Sequence, residues 1–154
     1  MLEPWYVTGL IEGEGCFCVS FTKRAKLNVG IETRPSFSLS LNRRDVELVK
    51  KVRAFFDCGG IRYSKSDRTF KFEVRNISDL VKKIIPHFEK YPLIGEKQQD
   101  FKKFSEVCKM VRANLHLSKN HLRQIIELSY QMNASGKRKY TKGDLLSILE
   151  EVKV

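Results

Sequence analysis

The sequence is poor in the residues that build metal-cluster and disulfide chemistry. Its four cysteines, Cys16, Cys18, Cys58 and Cys108, include one C-x-C but no C-x-x-C, and its three histidines, His87, His116 and His121, are scattered. No zinc-type spacing results, neither a Ser-His-Asp nor a Cys-His arrangement has positional support, and reduced thiols are the plain reading. Long apolar runs are missing as well: nowhere do roughly 18 apolar residues follow one another, and no basic stretch leads into a long apolar one at the N-terminus. A soluble, intracellular protein without a membrane partner is expected, in a prokaryotic cytoplasm or an organelle. Low-complexity linkers are absent, and 154 residues with 42% hydrophobic content suit one domain, 1–154, with an adequate core. Acidic residues are scarce, 18 Asp plus Glu against 29 Lys plus Arg, a net charge of +11. That excess points to an acidic partner such as nucleic acid or an anionic membrane surface.

The few acids are therefore informative where they cluster. Residues 7 to 15, Val-Thr-Gly-Leu-Ile-Glu-Gly-Glu-Gly, place Glu12 and Glu14 among three glycines at the end of a short apolar stretch. Pro4 suits a first helical turn, and the spacing predicts a helix over 4–13 that Gly13 and Gly15 end. Thr8, Gly9 and Gly13 form a stripe with little side chain, open to close approach by another backbone. Glycine inside a helix costs roughly 1 kcal/mol relative to alanine, so a compensating contact is expected. Carboxylates at a helix C-terminus are disfavoured by the macrodipole, and a hard divalent cation such as Mg²⁺ would resolve that conflict. The alternative is a pair of solvated surface acids on a glycine-capped helix.

Downstream, alternation predicts strands. Phe17, Val19 and Phe21 face one way and Cys16, Cys18, Ser20 and Thr22 the other over Cys16 to Lys23; Arg34 to Asn42 repeats the pattern with Phe37, Leu39 and Leu41 inward. A hairpin over about 16–42 turns across Arg24 to Asn28. Asp45 is placed to cap a helix from Val46 to Phe56, and a second hairpin over about 61–75 pairs Ile61 to Lys65 with Thr69 to Arg75. Ser78 is placed to cap a helix that Pro86 interrupts. Amphipathic spacing then gives helices over Glu96 to Arg112 and Ser118 to Met132, and a Thr141/Asp144 capping box starts a last helix ending near Val152. The order describes an α+β domain, αββαββα, whose curved four-stranded antiparallel sheet is covered on one side, with additional C-terminal helices at about 96–152. Its uncovered face, rich in Ser, Thr, Asn, Arg and Lys, can bond base edges and neutralise phosphates. Simple solvation of those polar residues is the alternative at any single position.

Residues 7 to 15 resemble the signature of the LAGLIDADG homing endonucleases. Gly9, Leu10, Ile11 and Gly15 match it, Val7 and Thr8 stand for Leu and Ala, Glu12 and Glu14 for the two aspartates, and Gly13 for an alanine. The flanking order is similar too, through Ser36 to Arg44, Gly59-Gly60, Tyr91-Pro92-Leu93 before Lys97, and Gly136 to Tyr140. The likeness covers nearly the whole chain.

That resemblance implies a site-specific DNA endonuclease using Mg²⁺ or Mn²⁺. By it, Glu14 and the Gly13 carbonyl hold the metal, Lys97 and either Arg43 or Arg44 stand beside the attacking water, and Glu12 orients the helix end. It also implies that the sheet reads double-stranded DNA, with Cys16, Cys18, Ser20, Thr22, Arg34, Ser36, Ser38, Ser40, Arg62, Ser64 and Lys71 as candidate contacts. Lys137, Arg138 and Lys139 are placed to meet phosphates. One motif supplies one acidic cluster and a double-strand break needs two, so a homodimer is expected, packed through Thr8, Gly9, Glu12 and Gly13 on a pseudo-palindromic site. Intron RNA is a further candidate partner. The competing readings are a non-cleaving module, either an intron-splicing maturase or a DNA-binding regulator, and a basic ribonucleoprotein component.

Overall fold

The computed structural model describes residues 1–133 and 138–152. Helix α1 (Pro4–Glu14) leads directly into β1 (Gly15–Lys23), which turns through Arg24 to Gly30 into the long β2 (Ile31–Asn42). A 3-10 turn (Arg43–Asp45) precedes α2 (Val46–Phe56), and β3 (Gly60–Ser64) and β4 (Thr69–Val74) form the second hairpin. The chain then runs through α3 (Ile77–Asp79), a π-helical stretch (Leu80–Ile84) and α4 (Ile85–Lys90). Helices α5 (Lys97–Arg112), α6 (Lys119–Ser129) and α7 (Lys142–Glu151) follow. The expected αββαββα order with extra C-terminal helices is what the chain adopts.

Several boundaries differ for local reasons. Helix α1 continues through Gly13 to Glu14, because Gly15 already has extended backbone (φ −85°, ψ 167°) while its N–H still bonds Ile11 O. Strand β2 begins three residues earlier than expected, since Ile31, Glu32 and Thr33 extend the alternation across from Phe21 to Lys23. Asp45 stands at the N-cap of α2 without a side-chain bond, while Asn42 caps the 3-10 turn before it, accepting from Arg44 N at 3.0 Å, and Asn76 rather than Ser78 accepts from Asp79 N. The helical path passes Pro86 instead of breaking there, with the π-helical turn immediately before it. The Thr141/Asp144 capping box is present as read.

The sheet order is β1-β2-β4-β3, antiparallel throughout. Helices cover one face. There Phe17 packs against Phe37, Phe88, Phe101 and Phe104 at centroid separations of 5.2 to 5.4 Å, and Val19, Leu39, Phe72, Ile84 and Leu122 are all buried. The free edge of β1 is blunted by side chains: Asn133 Nδ2 donates to Phe17 O at 2.7 Å and Arg138 to Val19 O at 2.8 Å, satisfying carbonyls that would otherwise template another strand. The opposite face is left to polar side chains.

Candidate active site and nucleic-acid interface

Segment 87–97 fixes the motif helix at three levels. Near its start, Thr8 is buried and its hydroxyl donates to Tyr91 O at 2.8 Å, with His87 Nε2 at 3.0 Å. At the next turn Glu12 Oε1 accepts from the backbone N–H groups of Ile94 (2.7 Å) and Gly95 (2.8 Å). At the C-terminal end Lys97 Nζ donates to Ile11 O at 2.9 Å and to Gly15 O at 2.6 Å. An ammonium on those carbonyls offsets the negative end of the helix dipole, which otherwise opposes the two carboxylates. Thr8 and Glu12, expected on a partner-facing stripe, thus commit the Thr8 hydroxyl and Glu12 Oε1 within their own chain.

What remains free is the outer side of the same helix. Gly9, Gly13 and Glu14 are exposed, and a Cβ added at Gly9 or Gly13 would meet nothing within 4 Å. Gly15 is the opposite case: a Cβ there would come within 2.5 Å of Ile11 Cγ2, so only glycine permits the sharp passage from α1 into β1. Among the described residues no ion pair ends on Glu14, and Glu12 Oε2 is buried without a hydrogen-bond partner. The helix end therefore offers carboxylate and carbonyl oxygens, the donor type a hard divalent cation takes. No three His, Cys, Asp or Glu side chains converge among the described residues.

Strand β1 carries the face outward from this point. Cys16 is the first residue of the row, paired with Ser38; burial pushes its thiol up, as does neighbouring Cys18, against the pull of Lys97 and Lys71. Lys97 and Lys71 are thus the bases near the helix end. Arg43 and Arg44, expected there, are exposed on the 3-10 turn that follows β2.

The outward rows of the sheet read Cys16–Ser38–Glu73–Gly60, Ser40–Lys71–Arg62 and Asn42–Thr69–Ser64, with Cys18–Ser36, Ser20–Arg34 and Thr22–Glu32 on the first hairpin. All eleven sheet candidates lie on this face. Two carboxylates, passed over by composition, sit among them. Glu32 holds Arg24 (2.7 Å) and Arg34 (3.3 Å), which also lowers its pKa, and Glu73 holds Arg62, Lys71 and Arg75. Alternation alone puts Glu73 outward on β4 and finds Glu32 once β2 is started at Ile31. Beyond the sheet, Arg138 is a correction: its guanidinium bonds the carbonyls of Val19 and Ser129 and lies 4.3 Å over the Tyr130 ring, so it braces the fold rather than facing a phosphate. Lys139 is exposed, and Lys137 lies outside the described residues.

The family profile of the LAGLIDADG endonucleases matches residues 7–108, from the motif helix through α5. The chain belongs to that family. Among solved LAGLIDADG-type folds, the homing endonuclease I-TnaI is 34% identical, with a TM-score of 0.85 and 99% of both chains covered. I-SmaMI bound to an uncleaved DNA target in the presence of calcium ions is 30% identical with a TM-score of 0.87, covering 98% of this chain and 50% of that one. A probable intron-encoded endonuclease of Neurospora crassa is 33% identical over 133 residues, 86% of this chain and 29% of the relative. The chain spans between 25% and 47% of the length of the first curated relatives it matches. Among the described residues no helix is long and apolar enough to cross a membrane.

Proposed function

We propose that this LAGLIDADG chain is a site-specific DNA endonuclease that makes a double-strand break as a homodimer, with Mg²⁺ or Mn²⁺. The observation that carries the reading is Glu14. It is an exposed carboxylate, without an ion pair among the described residues, held at the end of a helix clamped at Thr8, Glu12 and Lys97, beside an open basic sheet. Clamping fixes a reacting group within its productive geometry before DNA arrives, which is where positioning lowers a barrier. Glu14 and the Gly13 carbonyl would hold the cation, which when bound supplies Lewis-acid stabilisation of the scissile phosphate and a more acidic water. Lys97 neutralises the helix end and stands close to Cys16 at the root of the recognition strand, where its charge favours the phosphate that approaches. The sheet places its polar rows in the major groove, with Arg34, Arg62 and Lys71 as cationic contacts and the serines as hydrogen-bonding ones.

Dimerisation rests on the outer side of α1. A Cβ added at Gly9 or Gly13 would meet nothing within 4 Å among the described residues, and exposed Trp5 and Tyr6 share the helix. A second α1 laid on that stripe would bring two Glu14 side chains together on one twofold axis. The I-SmaMI chain, twice the matched length, is consistent with two such units acting on one site. The experiment is incubation of supercoiled DNA carrying the chain's intron-insertion sequence with and without Mg²⁺. Linear product only with metal is expected; intact DNA under both conditions, with binding retained, would sink the nuclease reading.

A further inference from the structure

We infer that Glu73, together with Arg62 and Arg75, forms a base-reading notch that selects one G·C pair in each DNA half-site. This rests on the sheet being the recognition surface proposed above. Glu73 is the most enclosed charge on that face, its side chain 14% exposed, with Arg75 Nε at 3.0 Å, Lys71 Nζ at 3.3 Å and Arg62 at 3.8 Å. Its cross-strand partner is Gly60, where a Cβ would meet nothing within 4 Å. A notch of about 370 Å³ opens there, lined by Gly60, Arg62, Glu73 and Arg75 among others. Any larger residue at position 60 would roof it.

The chemistry of the notch excludes the DNA backbone as its main ligand. A carboxylate repels phosphate, and placed beneath the guanidinium groups it cancels part of the attraction they would otherwise exert. Its oxygens, with about four acceptor directions between them, are only partly used by three cations and can accept from a base amine. In the major groove that amine is cytosine N4, and a guanidinium fork beside it matches the adjacent O6 and N7 acceptors of guanine. Adenine fits worse, because its N6 donor stands next to N7 and opposes the fork. A G·C pair presents both complements at once.

The test is selection of duplexes from a randomised library by the purified full-length chain, compared with Glu73→Gln and Arg62→Lys. Glutamine keeps the shape but surrenders the charge; lysine keeps the charge but surrenders the fork. The wild type should enrich a half-site containing a G·C pair whose preference, roughly tenfold or more, disappears in both variants while the other positions hold. If either variant keeps every G·C preference, or all positions relax together, Glu73 only tempers charge and the inference is wrong. If the wild type enriches no sequence at all, the recognition surface itself falls and takes the inference with it.

Discussion

Thr8 has one hydroxyl proton and gives it to Tyr91 O, so at the 3.0 Å contact with His87 Nε2 the ring must donate. His87 is boxed by Phe55, Phe56, Phe88 and Tyr91, and burial pushes its pKa down to about 4, which favours the neutral ring. Burial shifts His116 the same way. Above the ordinary value near 6.5 both states are neutral and nothing is lost. As pH falls from there, the unfolded chain takes up protons the folded chain refuses, and stability drops, by up to ~1.4 kcal/mol per pH unit for enclosed His87 and by less for the more exposed His116. Urea midpoints between pH 7 and 5 should decline, and His87→Gln should flatten much of the slope; a wild-type midpoint constant over that window would refute the account. The same scale holds the catalytic prediction. Glu14→Gln should reduce cleavage by at least a hundredfold while leaving DNA affinity unchanged, because among the described residues no ion pair or hydrogen bond of the fold ends on the carboxylate. Single-turnover cleavage set beside gel-shift binding checks it, and undiminished cutting would remove Glu14 from the mechanism.

At the level of elements, α1 is a poor helix made stable by what grips it. It has glycines at 9 and 13, no side-chain N-cap and two acids at its negative end. Lys97 supplies two charge-assisted bonds to that end, and the 94–95 backbone supplies two more to Glu12. Lys97→Met should cost roughly 1.5–3 kcal/mol by denaturant titration, and Glu12→Ala, which strands two N–H groups, roughly 1–3 kcal/mol. Both should lower cleavage more than DNA affinity, since they loosen the helix end that carries Glu14 and leave the sheet intact. Equal losses of cleavage and binding would argue against a positioning role.

The whole molecule is one layer of helices on a sheet whose other side is open, and its α1 stripe is unmatched. Gly9 separates folding from assembly. Within the monomer, Gly9→Ala removes backbone freedom and clashes with nothing, so thermal stability at low concentration should rise by about 1 kcal/mol. If two copies meet on that stripe, the same methyl group should weaken the dimer, and Gly9→Leu should abolish it together with double-strand cleavage. Sedimentation velocity across a concentration series resolves the species. Intact dimers of Gly9→Leu would place the contact elsewhere.

Periodicity was sufficient for the strands, the inward phenylalanines and the helix Val46–Phe56, because burial of one face of a strand or helix is written into neighbouring residues. The motif residues were legible for the same local reason: glycines and acids that conflict with helix physics announce a purpose beyond the helix. Contacts between distant segments were not legible. That Thr8 is claimed by His87, 79 residues away, that Lys97 closes α1, and that Arg138 braces the edge of β1 depends on how the chain packs. So does the arrival of Arg62 beside Lys71 and Arg75 on Glu73, which requires β4 to lie beside β3 in one particular register. Sequence alone settled which side chains share a face, since a residue's place in a 3.6- or two-residue repeat is local. Tertiary structure decided which polar groups are spent inside the fold and which are left exposed, because a hydrogen bond needs a partner that only folding brings within 3 Å.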